Sequence, residues 1–144
     1  MKSPAPENNF PMRKAILVGV HLPHNGFSPL ESLLEELEGL AATAFYQPVA
    51  VLSQKPATLN TKTLLGSGKV EELLQTVHFH DAEVVIFDES LAPAQNRNLE
   101  KILNCRVIDR PWLILEIFSG HAKTREAKTQ VELARLKYAL PRFS

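Results

Sequence analysis

Ala15-Ile16-Leu17-Val18-Gly19-Val20 is an unbroken apolar run, rich in β-branched residues and too short for a helix, which makes it a strand buried on both faces. Runs of the same kind recur at 49–52, in Glu83-Val84-Val85-Ile86-Phe87-Asp88 and in Cys105-Arg106-Val107-Ile108-Asp109. The stretches between them have helical spacing. Leucines at 30, 33, 34, 37 and 40 share one face, as do the apolar residues at 70, 73, 74 and 77, and 92–103 turns Leu99, Ile102 and Leu103 inward. Strands alternating with helices predict an α/β fold, a small parallel sheet of about four strands flanked by helices. Ser28-Pro29-Leu30-Glu31 has the order of a capping box with proline at the first helical position, so the first helix is expected to start there.

Beyond Asp109 the alternation stops. Residues 110–140 read as two helical stretches divided near Gly120, the second starting around Thr124 and halted by Pro141. The expected organisation is a disordered tail over 1–12, an α/β subdomain over 13–109 and a C-terminal helical subdomain over 110–144. The last helix has two apolar stripes on nearly opposite sides: Ala127, Val131, Ala134 and Tyr138 on one, Leu133, Leu136 and Leu140 on the other. One stripe covers the chain's own core. The second is left for something else, such as the second helix of a hairpin, another domain or a second copy, and so predicts the first half of a helical hairpin in a truncated protein.

With 144 residues and 44% hydrophobic composition, the chain has enough apolar surface for one domain with a core. Its one cysteine, Cys105, excludes an internal disulfide and a multi-cysteine zinc site, and fits a reducing cytoplasm. No apolar run reaches the ~18 residues of a membrane span. The net charge of zero excludes a globally basic nucleic-acid binder, but the charge is uneven: residues 1–100 have seven Lys+Arg against twelve Asp+Glu, and 101–144 have nine against four.

Gly66-Ser67-Gly68-Lys69 before a helix invites a phosphate or anion, since glycines let backbone N–H groups face one. It is not a Walker A loop, because Thr63 stands where the first glycine belongs and Val70 where the magnesium-holding hydroxyl belongs. Two readings remain: an anion site, or a turn with a solvated lysine. Asp88 ends a central strand, where doubly wound sheets place ligands, but it equally shapes the turn and, with Ser90, caps the next helix. The histidines at 21, 24, 78, 80 and 121 lack the spacing of a helical zinc pair, and no catalytic triad can be singled out, so no catalytic or metal residue is assigned. Trp112 reads as a core residue. Lys123, Arg125, Lys128, Arg135, Lys137 and Arg142 give the last helix a basic character suited to RNA phosphates, with Glu126 and Glu132 partly compensating.

Beyond single motifs, the chain resembles the N-terminal domain of HflX-type ribosome-associated GTPases over roughly 13–142. The resemblance lies in Gly66-Ser67-Gly68-Lys69-Val70-Glu71-Glu72-Leu73, 91–100, Val107-Ile108-Asp109-Arg110, 113–118, Thr124-Arg125-Glu126, 130–138 and Leu140-Pro141-Arg142, all in order. It implies a parallel α/β sheet followed by a helical subdomain. The implied parent is a cytoplasmic GTPase that binds the large ribosomal subunit through its rRNA and splits or rescues stalled ribosomes. It also implies a second hairpin helix and a G domain, with GTP and magnesium, that these residues do not contain. On this reading the chain itself is non-catalytic and has no cofactor of its own. The alternatives are a nucleotide-binding domain using Gly66 to Lys69, or a dimerisation module closing through the exposed stripe.

Overall fold

A computed structural model describes residues 12–22, 29–55 and 60–143. The elements run β1 (Arg13–Val20), α1 (Leu30–Thr43), β2 (Tyr46–Gln54), α2 (Ser67–His80), β3 (Val84–Phe87), α3 (Pro93–Leu103), β4 (Arg106–Asp109), α4 (Arg110–His121) and α5 (Arg125–Phe143). The four strands form one parallel sheet in the order β2-β1-β3-β4. The chain thus steps outward from β1 to β2 and then crosses back to β3. With crossovers of one hand, that reversal puts α1 on one face of the sheet and α2 and α3 on the other.

Strand alternation divides the core accordingly. Ile16, Val18, Val20, Val85, Phe87 and Val107 face Leu73, Val77, Leu99 and Leu103 of α2 and α3. Ala15, Leu17, Val84, Ile86 and Ile108 face Leu37 and Ala41 of α1 and Trp112 and Leu113 of α4, with Tyr138, Ala139 and Phe143 of α5 packed against them. Gly19 lies beneath α1, where an added Cβ would stand 2.9 Å from Leu34 Cδ2. The small residue lets helix and sheet approach closely.

β4 is a short edge, and side chains occupy its outward backbone groups. Val107 N–H donates to Glu100 Oε2 at 2.8 Å, and Asn96 Nδ2 donates to the Val107 carbonyl at 3.1 Å. An edge satisfied in this way offers little to a further strand.

Several sequence expectations change. Ile102 of α3, expected to turn inward with Leu99 and Leu103, is 44% exposed. Pro29 occupies the cap of α1 without a side-chain cap bond, so the capping box is replaced; Ser28, like His24 and the tail over 1–11, lies outside the described residues. β2 runs from Tyr46 to Gln54 rather than over 49–52, with a register shift opposite Ala15/Ile16 beside Pro48. An edge strand tolerates a proline because its missing N–H need not pair. α5 runs through Pro141 to Phe143, because a proline in the last turn forfeits only one backbone bond.

Candidate functional site

Helix N-termini and strand ends meet at the carboxyl edge of a parallel sheet, where ligands of this architecture bind. Gly66 takes the cap of α2, and Ser67 and Gly68 already belong to its first turn, so the glycines form a helix start rather than a separate loop. Gly66 has φ −68°, and a Cβ on Gly68 would meet nothing within 4 Å. The left-handed residue of this turn is Leu64, at φ 66°. Gly66 N–H donates to Gln54 Oε1 at 3.3 Å, and Lys69 Nζ lies 2.9 Å from Glu72 Oε1. The Gly66 amide and the Lys69 ammonium therefore have internal partners.

Asp88 is engaged as well. Arg110 donates to its Oδ1 through Nε at 2.9 Å and again through Nη2, and Nη2 also reaches the Leu33 carbonyl at 3.0 Å. This guanidinium ties β3, α1 and α4 together at the point where the strand order reverses. Asp88 and Ser90 do not cap α3; its Ala92 N–H is taken by Gln95 Oε1 at 2.9 Å. Among the described residues no three His, Cys, Asp or Glu side chains are grouped to hold a metal. These residues do not fit a GTP–magnesium site, and no hydrolytic step follows from them.

Asp109 is the organising residue of this edge. Fully buried, it accepts from Leu91 N–H at 2.9 Å and Trp112 N–H at 3.2 Å, capping α4, and its Oδ2 also receives the Tyr138 hydroxyl. Burial, followed by Asp109, raises the pKa of that phenol, which remains a donor. Arg142 completes the attachment: Nη2 donates to the Leu91 carbonyl at 2.9 Å and its guanidinium stands 3.6 Å from the Tyr138 ring. Arg97 donates to the Pro141 carbonyl. The network escaped sequence reasoning, although an Asp followed two residues later by proline at a strand-to-helix junction is a cap signal.

α5 is thus fastened at its C-terminal end. No residue of it is fully buried. Ala127, Val131, Ala134 and Tyr138 are half-buried as expected, while Leu133, Leu136 and Leu140 are 47, 48 and 63% exposed. The six cations divide. Arg135 lies 5.1 Å from the Trp112 ring and 3.3 Å from Glu132 Oε1, and Arg142 is held as described. Lys123, Arg125, Lys128 and Lys137 are exposed, with no ion pair to any described residue. Seven-residue spacing puts Lys128 and Arg135 on one side of the helix, but only Arg135 reaches Trp112.

A family model described as GTP-binding GTPase N-terminal matches residues 31–119, and one described as GTP-binding GTPase Middle Region matches 121–144. The chain is 43% identical over 131 residues to GTPase HflX of Flavobacterium psychrophilum, covering 91% of this chain and 32% of that protein. It is 43% identical over 110 residues to GTPase HflX of Escherichia coli, covering 76% and 26%. Among solved structures, a GTP-binding protein from Sulfolobus solfataricus in complex with GDP superposes with TM-score 0.67 at 30% identity, covering 90% of this chain and 38% of that one. The chain spans about a third or less of the length of these curated relatives.

Proposed function

Because the chain belongs to the HflX family of GTP-binding GTPases, we propose that it is the ribosome-docking N-terminal domain of such a protein. The observation that carries this reading is the division of cations on α5. Arg135 and Arg142 hold the helix to the domain, while Lys123, Arg125, Lys128 and Lys137 are exposed beside uncovered leucines. Cations along an exposed helix meet folded rRNA through its phosphates and gain affinity by counterion release, without reading sequence.

In this reading the α/β subdomain over 13–109 is the platform and 110–144 the projecting helical part. Leu133, Leu136 and Leu140 seat a second helix of the family's middle region. GTP and magnesium belong to the family's G domain. The domain described here contributes binding, holding the GTPase on the large subunit in the cytoplasm where stalled ribosomes are split or rescued.

Co-sedimentation with large ribosomal subunits across a salt series tests the proposal. Binding should weaken with salt, and Arg125→Glu with Lys128→Glu should lower the salt slope by about one for each lost contact. Binding that ignores salt, or that survives both substitutions unchanged, refutes it.

A further inference from the structure

The two edges of the sheet are built differently. β4 spans four residues, and Glu100 and Asn96 take the outward backbone groups of its Val107. β2 spans nine and ends in Val49-Ala50-Val51-Leu52-Ser53-Gln54, a stretch with no charge and no proline. Pro48 and the register shift beside it blunt only the first half of this strand. His21 N–H donates to the Gln54 carbonyl at 3.0 Å, so Gln54 turns its backbone groups toward β1. By alternation Leu52 does the same, and Val51 and Ser53 turn theirs away from the sheet. No described residue bonds to those outward groups, and Val51 is 52% exposed. An open edge of this kind is a template for another strand.

The charge beside the edge says what that strand must carry. Glu31, Glu35 and Glu38 follow one another at i, i+4 and i+7, one stripe of α1, and all three are exposed. Glu31 lines a cavity of about 490 Å³ with Ser53, Lys55, His21, Leu30 and Leu34, which places the stripe on the β2 side of the helix. Glu36, on the other side, reaches toward Arg110. α1 has no lysine or arginine of its own. Three carboxylates against Lys55 leave this side of the edge acidic. In the cavity, the apolar walls of Leu30 and Leu34 and the acid of Glu31 suit a lysine or arginine side chain, whose stem is apolar and whose head is charged.

We propose that the second half of β2 accepts an extended, lysine- or arginine-rich segment of another protein as a fifth strand. Val51 and Ser53 exchange backbone hydrogen bonds with it, and Glu31, Glu35 and Glu38 meet its cations. A second copy of this chain fits worse. Antiparallel pairing of β2 with itself about a two-fold axis would set two acidic α1 stripes side by side on one face of the joined sheet.

The probe is a dye-labelled heptapeptide of alternating lysine and valine, titrated with the full chain and followed by anisotropy. Saturable binding is expected, at least about tenfold tighter than that of the same peptide with glutamate in place of lysine. A proline at the central valine of the peptide should weaken binding at least about fivefold, the worth of one lost ladder bond. Val51→Pro should weaken it by a similar factor, since an edge strand accepts proline where the N–H has no partner; Trp112 emission reports whether the fold is kept. Glu35→Lys with Glu38→Lys, both at exposed helix positions, should weaken the lysine peptide and strengthen the glutamate one. Absence of saturable binding at millimolar peptide, equal affinity for the two peptides, or indifference to both the proline peptide and the charge reversal overturns the proposal. So does a concentration-dependent dimer of the chain, seen by sedimentation, that Val51→Pro dissolves, because the edge then belongs to a second copy. β2 and β4 are opposite edges of the sheet and α5 is fastened beside β4, so this reading and ribosome docking fail separately.

Discussion

Replacing Asp109 by alanine removes the acceptor shared by three donors: Leu91 N–H, Trp112 N–H and the Tyr138 hydroxyl. Loss of the cap on α4 costs about 1 kcal/mol. Each buried donor left without a partner costs about 1–3 kcal/mol. Leu91 is 1% exposed and Trp112 5%, so water reaches neither amide without local opening. The half-exposed Tyr138 can turn outward and recover part of its loss. Together the terms come to about 3–5 kcal/mol, a large share of the roughly 5–15 kcal/mol that holds a domain of this size folded. Tyr138→Phe keeps the ring stacked on Trp112 and leaves Asp109 its two amide donors, so it should cost only about 1–2 kcal/mol. Urea denaturation followed by Trp112 emission and by far-UV circular dichroism measures both variants, and thermal melts should drop by about 8–15 °C for Asp109→Ala. If Asp109→Ala costs less than about 1 kcal/mol, or less than Tyr138→Phe, the carboxylate is not what holds α5 to the sheet and the account of this edge is wrong.

Two further outcomes follow from the same structure. Gly68→Ala should stabilise the protein by about 0.5–1 kcal/mol, because it sits in the first turn of α2 with space for a Cβ; destabilisation in a urea titration would show that the glycine is conformationally required after all. Cys105 has its thiol pKa pushed from 9.0 up to about 11 by burial, with Glu100 adding to it. Iodoacetamide at pH 8 should therefore react about 100-fold more slowly with the folded protein than with the urea-unfolded one, since only the thiolate attacks. Folding favours the protonated thiol, so this contribution to stability is complete below the unfolded pKa and fades as pH rises from 9.0 through about 11. Equal alkylation rates in the two states contradict it.

The order of strands and helices, the two-sided burial of β1 and the two stripes of α5 could be read directly, because each is a repeat along one element and needs no knowledge of what lies opposite. Leu133, Leu136 and Leu140 are exposed on the side that helical spacing assigned to them. The site residues were harder to read. Arg135 and Arg142 look the same as Lys128 in a charge pattern, yet Trp112, Tyr138 and the Leu91 carbonyl occupy them, and those partners come from elements 20 to 50 residues away or from the helix's own preceding turn. Gly66-Ser67-Gly68-Lys69 keeps its motif-like spelling, but Gln54 takes the Gly66 amide and Glu72 the Lys69 ammonium.

Sequence alone determined the architecture and the family, since periodicity and ordered segments are properties of the chain as written. Tertiary structure decided which charged groups face solvent, that Arg110 pairs with Asp88 at the carboxyl edge and that Asp109 gathers three donors beside it. The reason is physical: a guanidinium or carboxylate commits to whichever partner folding brings within about 3 Å. Spacing along one helix or strand does not specify partners from other elements.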